Sequence, residues 1–261
     1  MYIAVLLFSL ATSFLSTRAY TCPDNVVGDP TMPCIEVRAC SDSANMASIA
    51  IDALSSGAGP GQSVATVGIC YLEESLQLTY NVQNQYFFPT EDVYSDCNSA
   101  IWNEDTVEAF IAPGFDANQL KEPKCYGEFD ISPYGVKWQG SIYNKNLNGT
   151  GMSSLLYDCD ETASSSSIHN EDHYWTATLT IDFSLLNCPR NCPSCDTNSV
   201  ETKPLPYYRV NFYRINELSS VADDNNCNLD TSACEYLAWS PNLHSPPSFH
   251  QPLYFGMLVI V

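Results

Sequence analysis

The sequence predicts an all-β fold, an antiparallel β-sandwich of jelly-roll or immunoglobulin-like type, stabilised by disulfides. Three observations predict it. Several short runs alternate apolar and polar residues, the period of a half-buried strand. Those runs are joined by polar loops of varied length, with few helix signals and no repeat at a fixed period, which sets aside propellers and solenoids. Twelve cysteines, an even number, follow an apolar leader. That combination implies six disulfides formed in an oxidising compartment.

The elements follow in chain order. Ile3 to Leu15 is an apolar run of signal-peptide length, too short to span a bilayer. Thr17 and Ala19 are small residues where a signal peptidase reads, so residues 1–19 are expected to be a signal peptide. The C-terminal LYFGMLVIV is too short to cross a membrane and reads as a last strand. Residues 20–69 form a cysteine-containing N-terminal extension, packed on the sandwich or part of it. A short helix is expected there near Ala44 to Leu54, followed by a break at Ser55 to Pro60. Residues 70–261 carry the sandwich.

Leu76, Leu78, Tyr80 and Val82 alternate with polar residues and make a strand. The stretch Ile101 to Pro113 sets Trp102 before a polar turn, Asn103 to Asp105, and then a strand. Val107, Ala109 and Ile111 share one face of that strand; Glu108 and Phe110 share the other. Cys125 to Ile131 is the next strand, with Phe129 and Ile131 facing one way and Glu128 and Asp130 the other. Ser132 to Gly135 reads as a turn and Val136 to Tyr143 as the returning strand. Asn144 to Asp172, rich in Ser, Asn and Asp, reads as a loop. Trp175, Ala177, Leu179, Ile181 and Phe183 alternate with Thr and Asp in the clearest strand of the chain. Tyr207 to Ile215 and Tyr254 to Val261 complete the set.

Charge excludes one class of partner. Thirty acidic residues against ten basic ones give a net charge of −20. With no basic cluster, nucleic acid and anionic membranes are repelled. A neutral sugar is not, and calcium is attracted. The acidic run Asp158 to Glu161 offers carboxylate oxygens of the kind calcium takes, although such runs are usually solvated. No resident cofactor is otherwise indicated.

The disulfide candidates are Cys22, Cys34, Cys40, Cys70, Cys97, Cys125, Cys159, Cys188, Cys192, Cys195, Cys227 and Cys234, with connectivity open. Cys188, Cys192 and Cys195 have the CxxxCxxC spacing that ligates an iron–sulfur cluster in radical enzymes. Such a cluster needs reduced thiolates, whereas this triplet lies in a Pro-rich loop of a secreted chain, so disulfides are expected. Asn148-Gly149-Thr150 is a glycosylation sequon in a polar loop.

An apolar platform beside a fixed carboxylate is what a sugar site needs, and Trp102 with Glu108 offers one. The plain alternative is a core tryptophan and a solvated glutamate. Trp138, Trp175 and Trp239 read as core, and Arg209 and Arg214 as ion-paired or sugar-contacting. His169, His173, His244 and His250 show no metal-ligand spacing.

Four motifs in order carry a resemblance. Trp102-x-x-Asp105-x-Val107-Glu108-x-Phe110-Ile111 resembles the W-x-x-D-x-V-E-x-F-I signature of family 9 carbohydrate-binding modules. Tyr126 to Val136 resembles the segment those domains place next, and Tyr208 to Ile215 their W/Y-R-x-N-x-x-R strand. Leu237 to Pro241 followed by Phe249 to Gly256 resembles their closing motif. The match runs from about residue 70 to the C-terminus. The resemblance implies a non-catalytic β-sandwich, related to DOMON-like domains, that clasps a sugar end between two aromatic rings. Trp102 matches the first ring and Phe249 the second, a phenyl where those members carry tryptophan. Glu108 matches a carboxylate that holds sugar hydroxyls. A basic residue of the sugar-binding members falls here on Asp130, a departure that bears on ligand identity. Asp130 and Arg209 are the further candidates for fixing hydroxyls.

Three function classes follow. The first is a secreted carbohydrate-binding protein whose partner is a glycan or oligosaccharide end, any protein partner being open. The second is a glycoside hydrolase using paired carboxylates such as Glu108 and Asp130. No G-x-S-x-G, H-E-x-x-H or P-loop is present. The third is a DOMON-like haem- or partner-binding domain, for which Met46, Met152 and Met257 offer no evident axial partner. They rank in that order.

Overall fold

The computed structural model describes residues 31–41, 46–83, 94–169, 173–196, 200–218, 227 and 233–261. The expected signal peptide and Cys22 lie outside the described residues. Thirteen strands make up nearly all of the regular structure. They are β1 (Cys34–Val37), β2 (Ala47–Leu54), β3 (Pro60–Tyr71), β4 (Ser75–Gln83), β5 (Thr106–Pro113), β6 (Cys125–Ile131) and β7 (Lys137–Asn144). After them come β8 (Met152–Leu156), β9 (Ala163–His169), β10 (Tyr174–Asp182), β11 (Tyr207–Glu217), β12 (Cys234–Ala238) and β13 (Gly256–Ile260). Two short helices, α1 (Ala117–Lys121) and α2 (Phe183–Asn187), sit in connections.

The strands order as β8-β7-β6-β5-β11-β12-β2-β3-β4-β10-β9, with β13 paired to both β11 and β1. All pairs are antiparallel except β1 with β13. β11 is the pivot. On one side it pairs with β5 from Tyr208 to Ile215. On the other its first residues pair with β13 and its last with β12. The chain thereby folds one continuous hydrogen-bonded array into the two layers of a sandwich.

The core lies between those layers. Val107, Ala109, Ile111, Phe129, Ile131, Val210 and Phe212 pack from β5, β6 and β11. Ile51, Val67, Ile69, Leu78, Tyr80, Trp175 and Leu179 pack from the opposite layer. Period-two alternation predicts these inward faces, and burial follows it. A second apolar cluster covers the outer face of β5, β6, β7 and β11. It contains Phe110, Tyr126, Trp138, Ile142, Tyr213, Ile215, Phe249 and Phe255, with Trp102 and Tyr236 packed against it.

Three elements differ from expectation. Residues 47–54, expected as a helix, form β2. There Ile51 is wholly buried, and pairing with β3 overrides the helical preference of the alanines. The Gly- and Pro-containing break after it is the hairpin loop leading into β3, and β3 itself runs to Tyr71 in a stretch without a clean alternation. The serine-rich stretch read as a loop holds β8 and β9. Both are edge strands: β8 is exposed throughout and β9 half-buries only Ser166, Ile168 and His169, so their membership in the sheet rests mainly on backbone bonds to β7 and β10 and leaves little apolar period to read. The turn at Ser132–Gly135 forms as expected, closed by the Gly135 N–H donating to the Ser132 carbonyl at 3.0 Å, with Gly135 at φ 82°.

Five disulfides join described residues: Cys40–Cys70, Cys97–Cys159, Cys125–Cys192, Cys188–Cys195 and Cys227–Cys234. Cys34 is also disulfide-bonded. All three cysteines of the CxxxCxxC loop are consumed, two with each other and Cys192 with β6. No described helix is long and apolar enough to cross a membrane.

Candidate functional site

The outer face of β5, β6, β7 and β11 is the floor of a cavity of about 480 Å³. Its walls come from four separate segments. Trp102 stands in the 3-10 turn Ile101–Asn103 that precedes β5. Met152, Ser153 and Ser154 belong to the edge strand β8, Tyr236 to β12, and Pro247 to His250 to the loop before β13. Trp102 is half-buried and meets the indole of Trp138 edge-on at 5.9 Å. Phe249 lies flat on Tyr213, with ring centroids 4.0 Å apart and planes 8° apart. Two aromatic groups therefore wall the cavity, each braced by a second ring from the sheet.

The loop carrying Phe249 is pinned at several points. The Tyr213 hydroxyl donates to the Phe249 carbonyl at 3.0 Å, and Asn144 Nδ2 donates to the His250 carbonyl at 3.0 Å. Asn242 Nδ2 donates to the Ser248 carbonyl at 2.6 Å. Gln251 Nε2 reaches across to the Asn148 carbonyl at 3.2 Å, so the exposed sequon turn abuts this loop. Trp239 packs against Phe212 and the inner core, with its ring seated on Gly256, where a Cβ would stand 2.4 Å from the indole.

Three carboxylates sit together beneath the aromatic walls. Pairing of β5 with β6 sets Glu108 opposite Asp130 and Phe110 opposite Glu128. Glu108, Glu128 and Asp130 are 3%, 6% and 1% exposed, and one oxygen of each lies within 4.8 Å of the others. Glu108 and Glu128 line the cavity; Asp130 lies just behind them. Burial raises all three carboxyls, Glu108 to about 8, and mutual repulsion adds to the rise for Glu128 and Asp130. His250 Nδ1 shares a 2.8 Å hydrogen bond with the Tyr126 hydroxyl, and its Nε2 is 3.9 Å from Glu128. Burial lowers this imidazole to about 4, which leaves it neutral near pH 7.

The five residues expected at a sugar site thus divide. Trp102, Glu108 and Phe249 line the cavity, and Asp130 joins the carboxylate cluster beneath it. Arg209 is elsewhere on the same sheet face. Its guanidinium donates to the carbonyls of Leu120 at 2.7 Å, Leu253 at 3.0 Å and Phe255 at 2.6 and 2.9 Å, fastening the turn Pro252–Tyr254 to β11. Arg214 points to the opposite face, 3.9 Å from Asp105. Asp158 and Glu161 cap their own 3-10 turn reciprocally, and Glu161 also pairs with Arg190, so those oxygens are engaged within the protein.

Sequence reasoning missed Glu128, Trp138 and His250 as cavity residues. Glu128 was on the right face, two residues from Asp130, and that spacing was the available signal. Trp138 was assigned to the core; it stands on β7 directly opposite Asp130 and is only 8% exposed, but on the outer face. Trp175 is fully buried in the inner core, as expected.

A protein of Bacteroides uniformis ATCC 8492, described as a proposed carbohydrate-binding protein, superimposes with a TM-score of 0.63 at 18% identity over 87% of this chain and 99% of that one. A carbohydrate-binding module of family 9 from Caldicellulosiruptor kristjanssonii, solved with glucose, superimposes with a TM-score of 0.53 at 10% identity over 87% of this chain and 95% of that one. This chain has the family 9 module fold. No family model matches the sequence. A protein of Arthroderma benhamiae (strain ATCC MYA-4681 / CBS 112371) named "Extracellular protein" is 27% identical over 158 residues, 57% of this chain. The matched part spans 62% of that relative's length. On the family 9 fold, the cavity occupies the outer face of one layer, with its aromatic walls supplied from outside the sheet.

Proposed function

We propose that this chain is a secreted, non-catalytic carbohydrate-binding domain that receives a terminal sugar between Trp102 and Phe249. The observation that carries this reading is the cavity itself: aromatic walls over a floor that presents carboxylates. Its volume falls in the range of small-ligand sites, about 300–1,000 Å³. Indole and phenyl faces cover sugar C–H groups and exclude water. Glu108 and Glu128 present carboxyl oxygens that hydrogen-bond with sugar hydroxyls. The glucose-bound module and the proposed carbohydrate-binding protein that share the fold support this reading, and the name of the Arthroderma relative supports secretion. So do the disulfides and the apolar leader.

The glycosidase alternative fits the geometry less well. An acid and its partner must flank the scissile bond, about 5 to 10 Å apart. Glu108 and Asp130 instead crowd a third carboxylate, and Asp130 lies behind the cavity lining.

A glycan-array screen of the mature secreted protein, in calcium-containing buffer, tests the reading. Binding to a defined glycan is expected, with affinity falling by about 30-fold or more in Trp102→Ala and in Phe249→Ala, the size of a hot-spot truncation. A blank array from folded protein overturns sugar binding; undiminished affinity in both variants removes the aromatic clasp.

A further inference from the structure

The floor of the cavity holds more carboxyl groups than hydroxyl recognition requires. Glu108, Glu128 and Asp130 are all nearly inaccessible, and one oxygen of each lies within 4.8 Å of the others. Ionising all three out of water is costly unless a positive charge compensates them. Among the described residues, the basic side chain within 4 Å is His250, and it meets Glu128 alone, at 3.9 Å.

A second observation points to an occupant. Asp130 is 1% exposed, yet neither of its carboxylate oxygens has a hydrogen-bond partner, and the side chain is aimed into the cluster. Glu128 Oε2 is likewise buried without a hydrogen-bond partner. Buried polar atoms are ordinarily satisfied, so inward-facing carboxylate oxygens left over in this number mark a place for a ligand.

We propose that Glu108, Glu128 and Asp130 bind one divalent cation of the hard, oxygen-seeking class, calcium or manganese, in the floor of the cavity. The donor set selects the class: three carboxylates with no thiolate suit calcium and manganese rather than softer metals. The span also fits, because opposite ligands of calcium stand about 4.8 Å apart, two bonds of about 2.4 Å. Asp130, behind the lining, supplies the inner ligand. Glu108 and Glu128 border the cavity, so the positions of a six- to eight-coordinate ion that the three carboxylates leave free face the space where a ligand sits. Resting on the carbohydrate reading above, this further assigns the ion the task of coordinating adjacent hydroxyls of the sugar.

Calorimetric titration of the EDTA-stripped, disulfide-intact protein with calcium chloride, and separately with manganese chloride, tests the site without any glycan. One ion per chain is expected, with a Kd on the order of 10⁻⁴ M or tighter and a rise in Tm on loading. Asp130→Asn is expected to weaken the ion by more than about 100-fold, the upper limit for losing a group that only supports a ligand, while folding at least as well as stripped wild type because a carboxyl crowded by two others is gone. Glu128→Gln serves as the second variant. Absence of heat and of any Tm shift at millimolar ion overturns the proposal, even if the array is positive. Ion uptake that both variants leave intact overturns it as well, by locating the ion elsewhere. Ion uptake lost in the variants but with a blank array upholds the metal site and sinks the sugar reading instead. Glycan binding indifferent to EDTA in a protein that does load an ion overturns the hydroxyl-coordinating role. Binding of glucosamine with no uptake of ion replaces the cation by an ammonium group and likewise overturns the proposal.

Discussion

Arg209 and Arg214 lie on the same strand and serve opposite faces of it. Arg209, 1% exposed, donates to three backbone carbonyls, Leu120 in α1 and Leu253 and Phe255 at the turn that precedes β13. Replacing it by Met keeps the volume of the stem and orphans those carbonyls. Hydrogen bonds to charged groups contribute about 1.5–3 kcal/mol each, less than additively, so Arg209→Met is expected to cost about 3–5 kcal/mol in urea unfolding. Glycan affinity of the variant that remains folded should be unchanged, since the guanidinium does not line the cavity. Weaker binding at full folding would return Arg209 to the site. The sequence offers an ion pair or a sugar contact for Arg209; the backbone carbonyls that it meets depend on where residues 120 and 253–255 come to rest.

Among the elements, the 3-10 turn bearing Trp102 buries Ile101 in the outer apolar cluster and is approached through two further anchors. Cys97 is bonded to Cys159, closing a sequence separation of 62 residues. Beside it Asn98 Nδ2 donates to the Tyr157 carbonyl at 2.8 Å and its Oδ1 accepts from the Gln139 N–H at 2.9 Å. This holds the approach to Trp102 against β7. Chain entropy predicts that Cys97→Ser with Cys159→Ser costs about 4 kcal/mol for a loop of that length. Guanidinium melts should show that loss, and binding should weaken because Trp102 is no longer held in place. A double variant with wild-type stability would mean that the hydrogen bonds alone suffice. The strands of the sandwich were readable wherever one face was buried, as in β4, β5, β6 and β10. β8 and β9 were not, because an edge strand that buries little or nothing carries no apolar period.

For the molecule as a whole, the acidic balance makes stability sensitive to pH. Burial, with Asp105 nearby, raises the Glu217 carboxyl from its ordinary 4.5 to about 7. The folded chain therefore holds a proton there between those values that the unfolded chain has released. The stability it contributes is complete below the unfolded value and is lost as pH climbs through the folded one. Thermal melts in EDTA should show Tm falling between about pH 4.5 and 8, and Glu217→Gln should flatten part of that fall. An identical profile in the variant would show that Glu217 is not responsible.

The sequence by itself determined the class of fold, the two-faced strands and the oxidised cysteines. Each of these depends on local period, composition or count. It also placed Trp102, Glu108 and Phe249 in motifs whose order marks a known fold. Tertiary structure decided the rest: Trp138 faces outward, Arg209 serves a turn, and Glu108, Glu128 and Asp130 meet. The meeting of those carboxylates depends on the register of β5 against β6, and a one-residue slip would send Asp130 into the core face. Register is a long-range property, set by which faces bury together, and no window of sequence contains it.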